Sequence, residues 1–292
     1  MINQFVNYLI TEKRKAENTV AAYESDVREF AGFEEGRGVN DLANCTSTDV
    51  VAYLHELRAQ KKSSSTINRK LSSIRAFYSY LMSREIVKDN PTSGVKSPKP
   101  EPKELEYLSL QDIDKLMEAQ DESDKGIRDR AILEVLYATG IKASELIAMN
   151  VEDANIRMGF ITCNNDYEHA RIVPLGRPAR AALEKYIYNV RPKLLLGNEE
   201  EKAMFLNYQG VRISRQGLWK VLKECGKKAE LDIGLNPNII RNSFAIHMLQ
   251  NGADLKSLQE LMGYEDISAT QIYLTAMKTR IKDVYDRAHP RA

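Results

Sequence analysis

The stretch that decides the fold is residues 235–275, which read LNPNIIRNSFAIHMLQNGADLKSLQELMGYEDISATQIYLT. Asn236 followed by Pro237 predicts a helix start, because an Asn side chain can accept hydrogen bonds from free N–H groups and Pro tolerates the first helical position. Apolar residues then repeat at helical spacing, at Ile240, Phe244 and Met248. This spacing predicts that Arg241 lies on a different face of the helix, away from the core side.

The remainder of this stretch predicts two more short helices. Asn251–Gly252 ends the first helix, Asp254 caps a second, and Gly263 ends that second helix. Ser268 is a candidate cap for a third helix that carries Tyr273. The sequence therefore predicts that Arg241 and Tyr273 lie on separate short helices.

This part of the chain resembles the second half of a tyrosine recombinase, of the phage integrase and Xer family. The family motif reads His-x-x-Arg-x-x-Phe-Ala-x-His-Leu-Leu, then Gly-Ala-Asp, then Leu-Gly-His and x-Tyr. Matching positions here are Arg241, Phe244, Ala245, His247, Gly252, Ala253, Asp254, Gly263 and Tyr273. Asn238 and Tyr264 occupy the places of two functional histidines, and the resemblance extends over the rest of the chain.

The composition is that of an ordinary globular protein. The chain has 292 residues, of which 43% are hydrophobic and 28% charged, enough for two domains with cores. No apolar run is long enough to span a bilayer, and the N-terminus lacks a signal-peptide pattern, so we expect a cytoplasmic protein without a membrane partner. The three cysteines are isolated, which predicts reduced, buried thiols and no disulfide, metal site or cofactor.

The charge is balanced overall and uneven locally. There are 42 Lys and Arg against 41 Asp and Glu, but residues 61–99 hold 9 basic and 2 acidic residues. A basic surface of this kind suits a DNA contact, and a solvated helix face explains it equally well.

The first third of the chain predicts helices throughout. Asn18 or Thr19 is a candidate cap for the second helix, and Thr46 for the third. The fourth follows residues 61–65 and pairs an apolar stripe with a polar face. The resemblance implies that this small domain grips one side of a DNA duplex. The DNA-binding candidates are Thr19, Lys61, Lys62, Asn68, Arg69, Lys70, Ser72 and Arg75.

A proline-rich stretch separates two predicted domains. We expect a helical core-binding, SAM-like domain at 1–90, a linker at 91–106 and a catalytic-type domain at 107–292. The predicted fold class is mainly α with a small β-sheet, the two-domain tyrosine recombinase fold. The resemblance implies that the two domains close around DNA like a clamp.

The second domain predicts helices with two short strands between them. Ser109 and Asp112 form a capping box, and a buried helix is expected over 129–139 and ended by Gly140. Strands are expected at 160–163 and 171–175 around a polar hairpin, with a further short strand at 204–206. Trp219 lies in an apolar pattern that favours core packing.

Two further catalytic positions of the family are substituted here. Lys142 stands where the family has its first catalytic Arg, within Thr-Gly-x-Arg-x-Ser-Glu-Leu. Asp166 stands where the family has a catalytic Lys in the hairpin, and His169 is the hairpin's neutral-pH proton donor or else simply an exposed residue. Of six catalytic positions, only Arg241 and Tyr273 keep the family's residue.

The resemblance implies strand cleavage through a 3′-phosphotyrosyl link, with Arg groups holding the phosphate. The candidate catalytic residues are Tyr273, Arg241, Lys142, Tyr264, Asn238, Asp166 and His169. One hypothesis is a divergent recombinase in which Tyr273 still cleaves, with impaired activity. The other is an inactive DNA-binding homologue or a partner of an active recombinase. The implied partners are double-stranded DNA and further copies or relatives, as a tetramer on two DNA sites.

Overall fold

The computed structural model describes residues 1–99, 104–163, 170–264, 266–267 and 269–276. The chain divides into two compact units, Met1–Lys103 and Glu104–Ala292. The fold is mainly α-helical with a small antiparallel sheet, as predicted. In the part of the chain that the structure describes, no helix has the length and apolar character needed to cross a membrane.

The first unit is built from amphipathic helices around one apolar core. They are α1 (Ile2–Thr11), α2 (Glu17–Glu35), a 3-10 turn (Leu42–Asn44), α3 (Ser47–Ala59) and α4 (Ser64–Ser83). Phe5, Phe30 and Phe77 are fully buried among them. The Thr46 N–H donates to Asp49 Oδ2 at 2.9 Å, which closes the start of α3 as the sequence predicted.

The predicted linker is partly packed on the first unit. Val95 belongs to that unit's core cluster, and Arg75 of α4 donates to the Val95 carbonyl at 2.5 Å and to Ser97 Oγ at 3.1 Å. Asn68 donates to the Pro98 carbonyl at 2.8 Å. The polar face of α4 is therefore covered over part of its length by the chain that follows it.

The second unit combines helices with a three-stranded sheet in the order β1-β2-β3. Its helices are α5 (Leu110–Glu118), α6 (Asp124–Thr139), α7 (Ala143–Ala148), α8 (Arg177–Asn189), α9 (Arg191–Leu194), α10 (Arg215–Lys228), α11 (Pro237–Gln250) and α12 (Leu255–Met262). Residues 269–276 form a further helix, α13, and its candidate cap Ser268 lies outside the described residues. The strands are β1 (Ala154–Asn155), β2 (Phe160–Cys163) and β3 (Arg171–Pro174), and a 3-10 turn spans Val151–Asp153.

The register of the sheet fixes the position of β3. In the β2–β3 pairing, Cys163 lies opposite Arg171 and Ile161 opposite Val173. Ile161, Cys163 and Val173 point into the core. Arg171 pairs with Cys163 at the end of the ladder. All three cysteines are free and buried, as predicted.

Some local predictions were wrong. Helix α2 starts at Glu17 with Ala16 as its N-cap, so neither Asn18 nor Thr19 caps it. Helix α6 begins five residues before the predicted start, because Ser123 accepts a hydrogen bond from the Gly126 N–H at 3.1 Å.

Two predictions in the second unit also fail. Residues 204–206 do not form a strand, and isolated bridges join Asn150 to Ala203 and Leu206 to Arg212 instead. Trp219 is 42% exposed, whereas its neighbours Leu218 and Leu222 are fully buried. The helical turn places the indole on the outer edge of the apolar stripe.

Candidate active site

Arg241 is the residue around which the site is assembled. Helix α11 starts as predicted, since Asn236 Oδ1 accepts from the N–H groups of Asn238 and Ile239. Arg241 is only 7% exposed, because polar partners cover the helix face on which it lies. Its guanidinium donates to the Gly140 carbonyl and, at 2.8 Å, to the Met262 carbonyl. These bonds join the end of α6 and the end of α12 to α11.

The Arg241 guanidinium keeps donors for a ligand. A guanidinium carries five N–H donors, and the two carbonyls use one on each terminal nitrogen. The third interaction runs from Nε to the Tyr264 Oη at 3.3 Å, and the guanidinium carbon lies 4.7 Å from the centroid of the Tyr264 ring. One N–H on each terminal nitrogen is therefore left over, and guanidinium N–H donors are of the kind that can bind a phosphate.

Tyr273 lies next to this arrangement. Its Oη is 3.1 Å from the Tyr264 Oη and 3.3 Å from Asn242 Oδ1. The side chain is 3% exposed and belongs to an apolar cluster with Phe244 and Met262. Burial raises the pKa of the Tyr273 phenol, and the charge of Arg241 opposes that rise. The structure thus brings Arg241, Tyr264 and Tyr273 together.

The turn between α6 and α7 requires glycine at position 140. Gly140 has φ +58°, and a Cβ there would lie 2.2 Å from the Phe244 ring. Gly263 at the end of α12 has φ +65°, and its Cβ would meet the Arg171 guanidinium at 2.7 Å. Both glycines permit close approach of segments that hold Arg241 in place.

Lys142 caps the start of α7 beside a buried ion pair. Its N–H donates to Glu145 Oε2 at 2.6 Å, and its side chain is exposed. Arg171 donates to both carboxylate oxygens of Glu145, at 2.6 and 2.9 Å, and to the Leu261 carbonyl at 2.9 Å. Burial disfavours the Glu145 carboxylate, but the Arg171 and Lys142 contacts outweigh it and lower its pKa.

The Cys163 thiol is buried near several charged side chains of the second unit. Burial raises its pKa to about 12; the charges of Arg171 and Arg241 oppose that rise, and those of Glu145 and Asp153 add to it. The two guanidinium groups thus act on the same part of the second unit.

The remaining catalytic candidates are Asn238, Asp166 and His169. Asn238 is exposed at the second residue of α11. Asp166 and His169 lie outside the described residues. Within the described ranges, no cluster of His, Cys, Asp and Glu has the arrangement of a metal site. The catalytic roles of all seven candidates stay predictions.

The sequence analysis missed residues that shape the site. Asn242 accepts a hydrogen bond from Tyr273. The Glu145–Arg171 pair joins α7 to β3. Glu145 and Arg171 match the family pattern, and that match was the available signal. Nothing in the local sequence distinguishes Asn242 from a solvated helix residue.

The DNA-binding candidates of the first unit differ in accessibility. Lys61, Lys62 and Ser72 are exposed, and Thr19 is half-buried within α2. Lys70 is 5% exposed, so the structure does not place it on an open basic face.

The other candidates bind acidic side chains or the segment that follows α4. The Lys70 ammonium pairs with Asp26 at 3.1 Å and Glu29 at 2.7 Å. Arg69 also pairs with Asp26. Asn68 and Arg75 bind the 95–98 segment.

Comparisons with known proteins identify relatives of this chain. The profile described as "Phage integrase family" matches residues 106–280, and "Phage integrase, N-terminal SAM-like domain" matches residues 2–85. Tyrosine recombinase XerD of Listeria monocytogenes serotype 4b (strain F2365) is 39% identical over 294 residues, covering 100% of this chain and 99% of its own.

Solved structures show the same fold. The XerH site-specific recombinase bound to difH substrate aligns with a TM-score of 0.70 at 17% identity, over 96% of this chain and 84% of its own. A lambda integrase tetramer bound to a Holliday junction aligns with a TM-score of 0.70 at 15% identity, over 93% and 75% of the two chains.

Proposed function

This chain belongs to the phage integrase family of tyrosine recombinases, and from that premise we propose that Tyr273 is its DNA-cleaving nucleophile and that it cleaves slowly. In the proposed step the Tyr273 oxygen attacks a DNA phosphorus and the bond to the 5′ oxygen breaks. A 3′-phosphotyrosyl link forms, the phenol loses its proton, and the 5′ oxygen leaves as a hydroxyl after taking up a proton. The task is site-specific DNA recombination.

One observation carries the proposal. Tyr264 contacts both the Arg241 guanidinium, at 3.3 Å, and the Tyr273 hydroxyl, at 3.1 Å. A phosphate bound to the unused Arg241 donors would therefore lie close to a phenol that can attack it. Charge that develops on the nonbridging oxygens would be stabilised by the same guanidinium.

The slow rate follows from the substituted positions. Lys142 keeps a positive charge but lacks the bidentate fork of an Arg. Asp166 offers a carboxylate where the family has a proton-donating Lys, and Asn238 offers a neutral amide where the family has a His. Loss of one such donor typically lowers a rate about 10² to 10³-fold, and losses within one site do not add simply.

The proposed partner is double-stranded DNA. Lys61 and Lys62 supply exposed positive charge on the first unit, which suits phosphate contacts. Assembly as a tetramer on two DNA sites is part of the proposal, and the lambda integrase tetramer on a Holliday junction supports it through the shared fold.

A second candidate function is an inactive DNA-binding partner of an active relative. The 3% exposure of Tyr273 favours it, because a buried phenol must be uncovered before it can attack. The two candidates differ in whether a covalent adduct with DNA forms.

Covalent trapping distinguishes the two candidates. A duplex selected by this protein from a random library would be nicked, incubated with the protein, denatured and separated. We expect a slowly accumulating DNA-linked band that is absent with Tyr273→Phe. Binding of the duplex without any band would support the partner function and overturn the proposed cleavage.

Restoring the family's residues is a second test of the same proposal. Lys142→Arg alone should raise the rate of adduct formation by about tenfold or more, because it returns a bidentate donor. The combination with Asp166→Lys, Asn238→His and Tyr264→His should raise it further. A folded, DNA-binding quadruple variant that never forms an adduct would contradict the assignment of these positions.

A further inference from the structure

A chain of hydrogen bonds runs through Tyr273 and ends on the backbone. Arg241 Nε lies 3.3 Å from Tyr264 Oη, which lies 3.1 Å from Tyr273 Oη. Tyr273 Oη lies 3.3 Å from Asn242 Oδ1, and Asn242 Nδ2 lies 3.0 Å from the Glu106 carbonyl oxygen.

Both ends of this chain fix its direction. A guanidinium only donates, so the Tyr264 oxygen accepts from Arg241 and its own O–H is free to donate to Tyr273. A carbonyl only accepts, so the Asn242 amide N–H₂ donates to Glu106 and its Oδ1 accepts from Tyr273. The Tyr273 O–H therefore points at Asn242, and every bond runs in one sense, which strengthens each of them.

The Glu106 end lies on a segment that is fixed to α11 at a second point. The Leu108 N–H donates to Ser243 Oγ at 2.8 Å, and Ser243 is fully buried. Leu105 and Tyr107 pack against the apolar cluster that contains Tyr273. Residues 105–108, here named the entry segment, are the first part of the second unit after its start at Glu104.

We propose that Asn242 is a positioning residue that holds the Tyr273 hydroxyl through its amide oxygen and connects it to the entry segment through its amide nitrogen. The proposal rests on the proposed role of Tyr273 as nucleophile. While the bond to Asn242 persists, the phenol proton is held by a group that is not a base. A shift of the entry segment would reach the nucleophile through this side chain.

Among the residues that the structure describes, the charged and titratable groups facing the Tyr273 hydroxyl are Arg241 and Tyr264. Asn242 is neutral, and as an acceptor of the O–H it stabilises the protonated phenol. Removing that acceptor should lower the pKa of Tyr273. A purely structural Asn242, which only anchors the Glu106 backbone, would leave the pKa of Tyr273 unchanged.

The experiment follows ionisation at position 273 in the full-length protein without DNA. A trifluorinated tyrosine, whose phenol ionises near neutral pH, is incorporated at position 273 and titrated by fluorine NMR. We expect Asn242→Ala to lower the pKa by about one unit, the value of one ordinary hydrogen bond. Ser243→Ala, which removes the neighbouring anchor and leaves the Tyr273 contacts, should not move the pKa. Equal pKa values in Asn242→Ala and the parent protein, or equal shifts in both variants, would overturn the proposal.

A second variant guards against loss of folding. Asn242→Asp keeps the side-chain size and the acceptor and adds a negative charge, so it should raise the pKa of the fluorinated phenol by about one unit or more. A fall or no change with Asn242→Asp would overturn the proposal even if Asn242→Ala did not fold. Because this titration needs no DNA cleavage, its outcome is independent of whether Tyr273 forms an adduct.

Discussion

Gly140 is the residue at which backbone conformation and packing together set the position of Arg241. Its carbonyl accepts from the guanidinium, its φ is +58°, and its Cα faces the Phe244 ring. A methyl group at this position is incompatible with both the conformation and the space.

We predict that Gly140→Ala destabilises the protein by about 2 to 5 kcal/mol. The left-handed conformation accounts for about 1 to 2 kcal/mol and overpacking against Phe244 for about 1 to 3 kcal/mol. The midpoint of denaturant unfolding measures the change in the free energy of unfolding.

Gly252→Ala is the matched control, because Gly252 has φ +93° and a Cβ at that position would meet no atom within 4 Å. It should lose only the conformational part, about 1 to 2 kcal/mol. Equal losses for the two variants would show that Phe244 does not restrict position 140.

Single residues also show the limit of sequence reasoning. Spacing along α11 put Arg241 off the apolar face, and Lys70 of α4 was a candidate for DNA binding, but both side chains are buried. Lys70 is covered by Asp26 and Glu29 of α2, more than forty positions away in the chain. Periodicity reports one apolar face of a helix, and it carries no information about a second face buried by polar partners.

At the scale of elements, the Glu145–Arg171 pair joins the start of α7 to the start of β3. Both side chains are largely buried, and Arg171 also binds the last turn of α12 through Leu261. This pair holds three elements around the site.

We predict that Glu145→Gln destabilises the protein by about 3 kcal/mol at neutral pH, because Arg171 is left as a buried charge without its partner. Glu152→Gln, at an exposed position in the adjoining 3-10 turn, is the control and should be nearly neutral.

The loss should depend on pH in a defined direction. The pKa of Glu145 is lowered in the folded protein, so its contribution is present above the unfolded pKa of about 4.3 and is lost as pH falls through the lower folded pKa. The difference in unfolding free energy between the parent protein and Glu145→Gln should therefore shrink below about pH 4. A difference that grew with acidity would contradict the pairing.

Elements with strong local signals were predictable, and elements without them were not. The Ser109–Asp112 capping box, the Asn236 cap of α11 and the Gly263 end of α12 all occur as predicted. Residues 204–206 form isolated bridges because their partners are set by long-range contacts. The fold and the presence of Arg241 and Tyr273 were therefore readable from sequence, whereas the hydrogen-bond chain between them was not.

At the scale of the whole molecule, two lysines of the first unit should have different roles. One should contribute to DNA affinity and the other to folding stability. Lys62 is exposed and Lys70 is buried against Asp26 and Glu29. We predict that Lys62→Ala weakens binding to the selected duplex and reduces the slope of log affinity against log salt by about 0.9.

Lys70→Met should instead leave that salt dependence unchanged and lower the free energy of unfolding by about 3 kcal/mol. Fluorescence anisotropy across a salt series and denaturant unfolding measure the two effects. A reduced salt slope with Lys70→Met and none with Lys62→Ala would reverse this assignment.

The most direct measurement of the central claim is to identify the residue that carries the DNA. Protein trapped on the nicked duplex would be digested and the nucleotide-linked peptide sequenced by mass spectrometry. We predict that the link is on Tyr273 and to a 3′ phosphate. A link on Tyr264, whose hydroxyl lies 3.1 Å away, or a duplex that is bound and never linked, would contradict Tyr273 as the nucleophile.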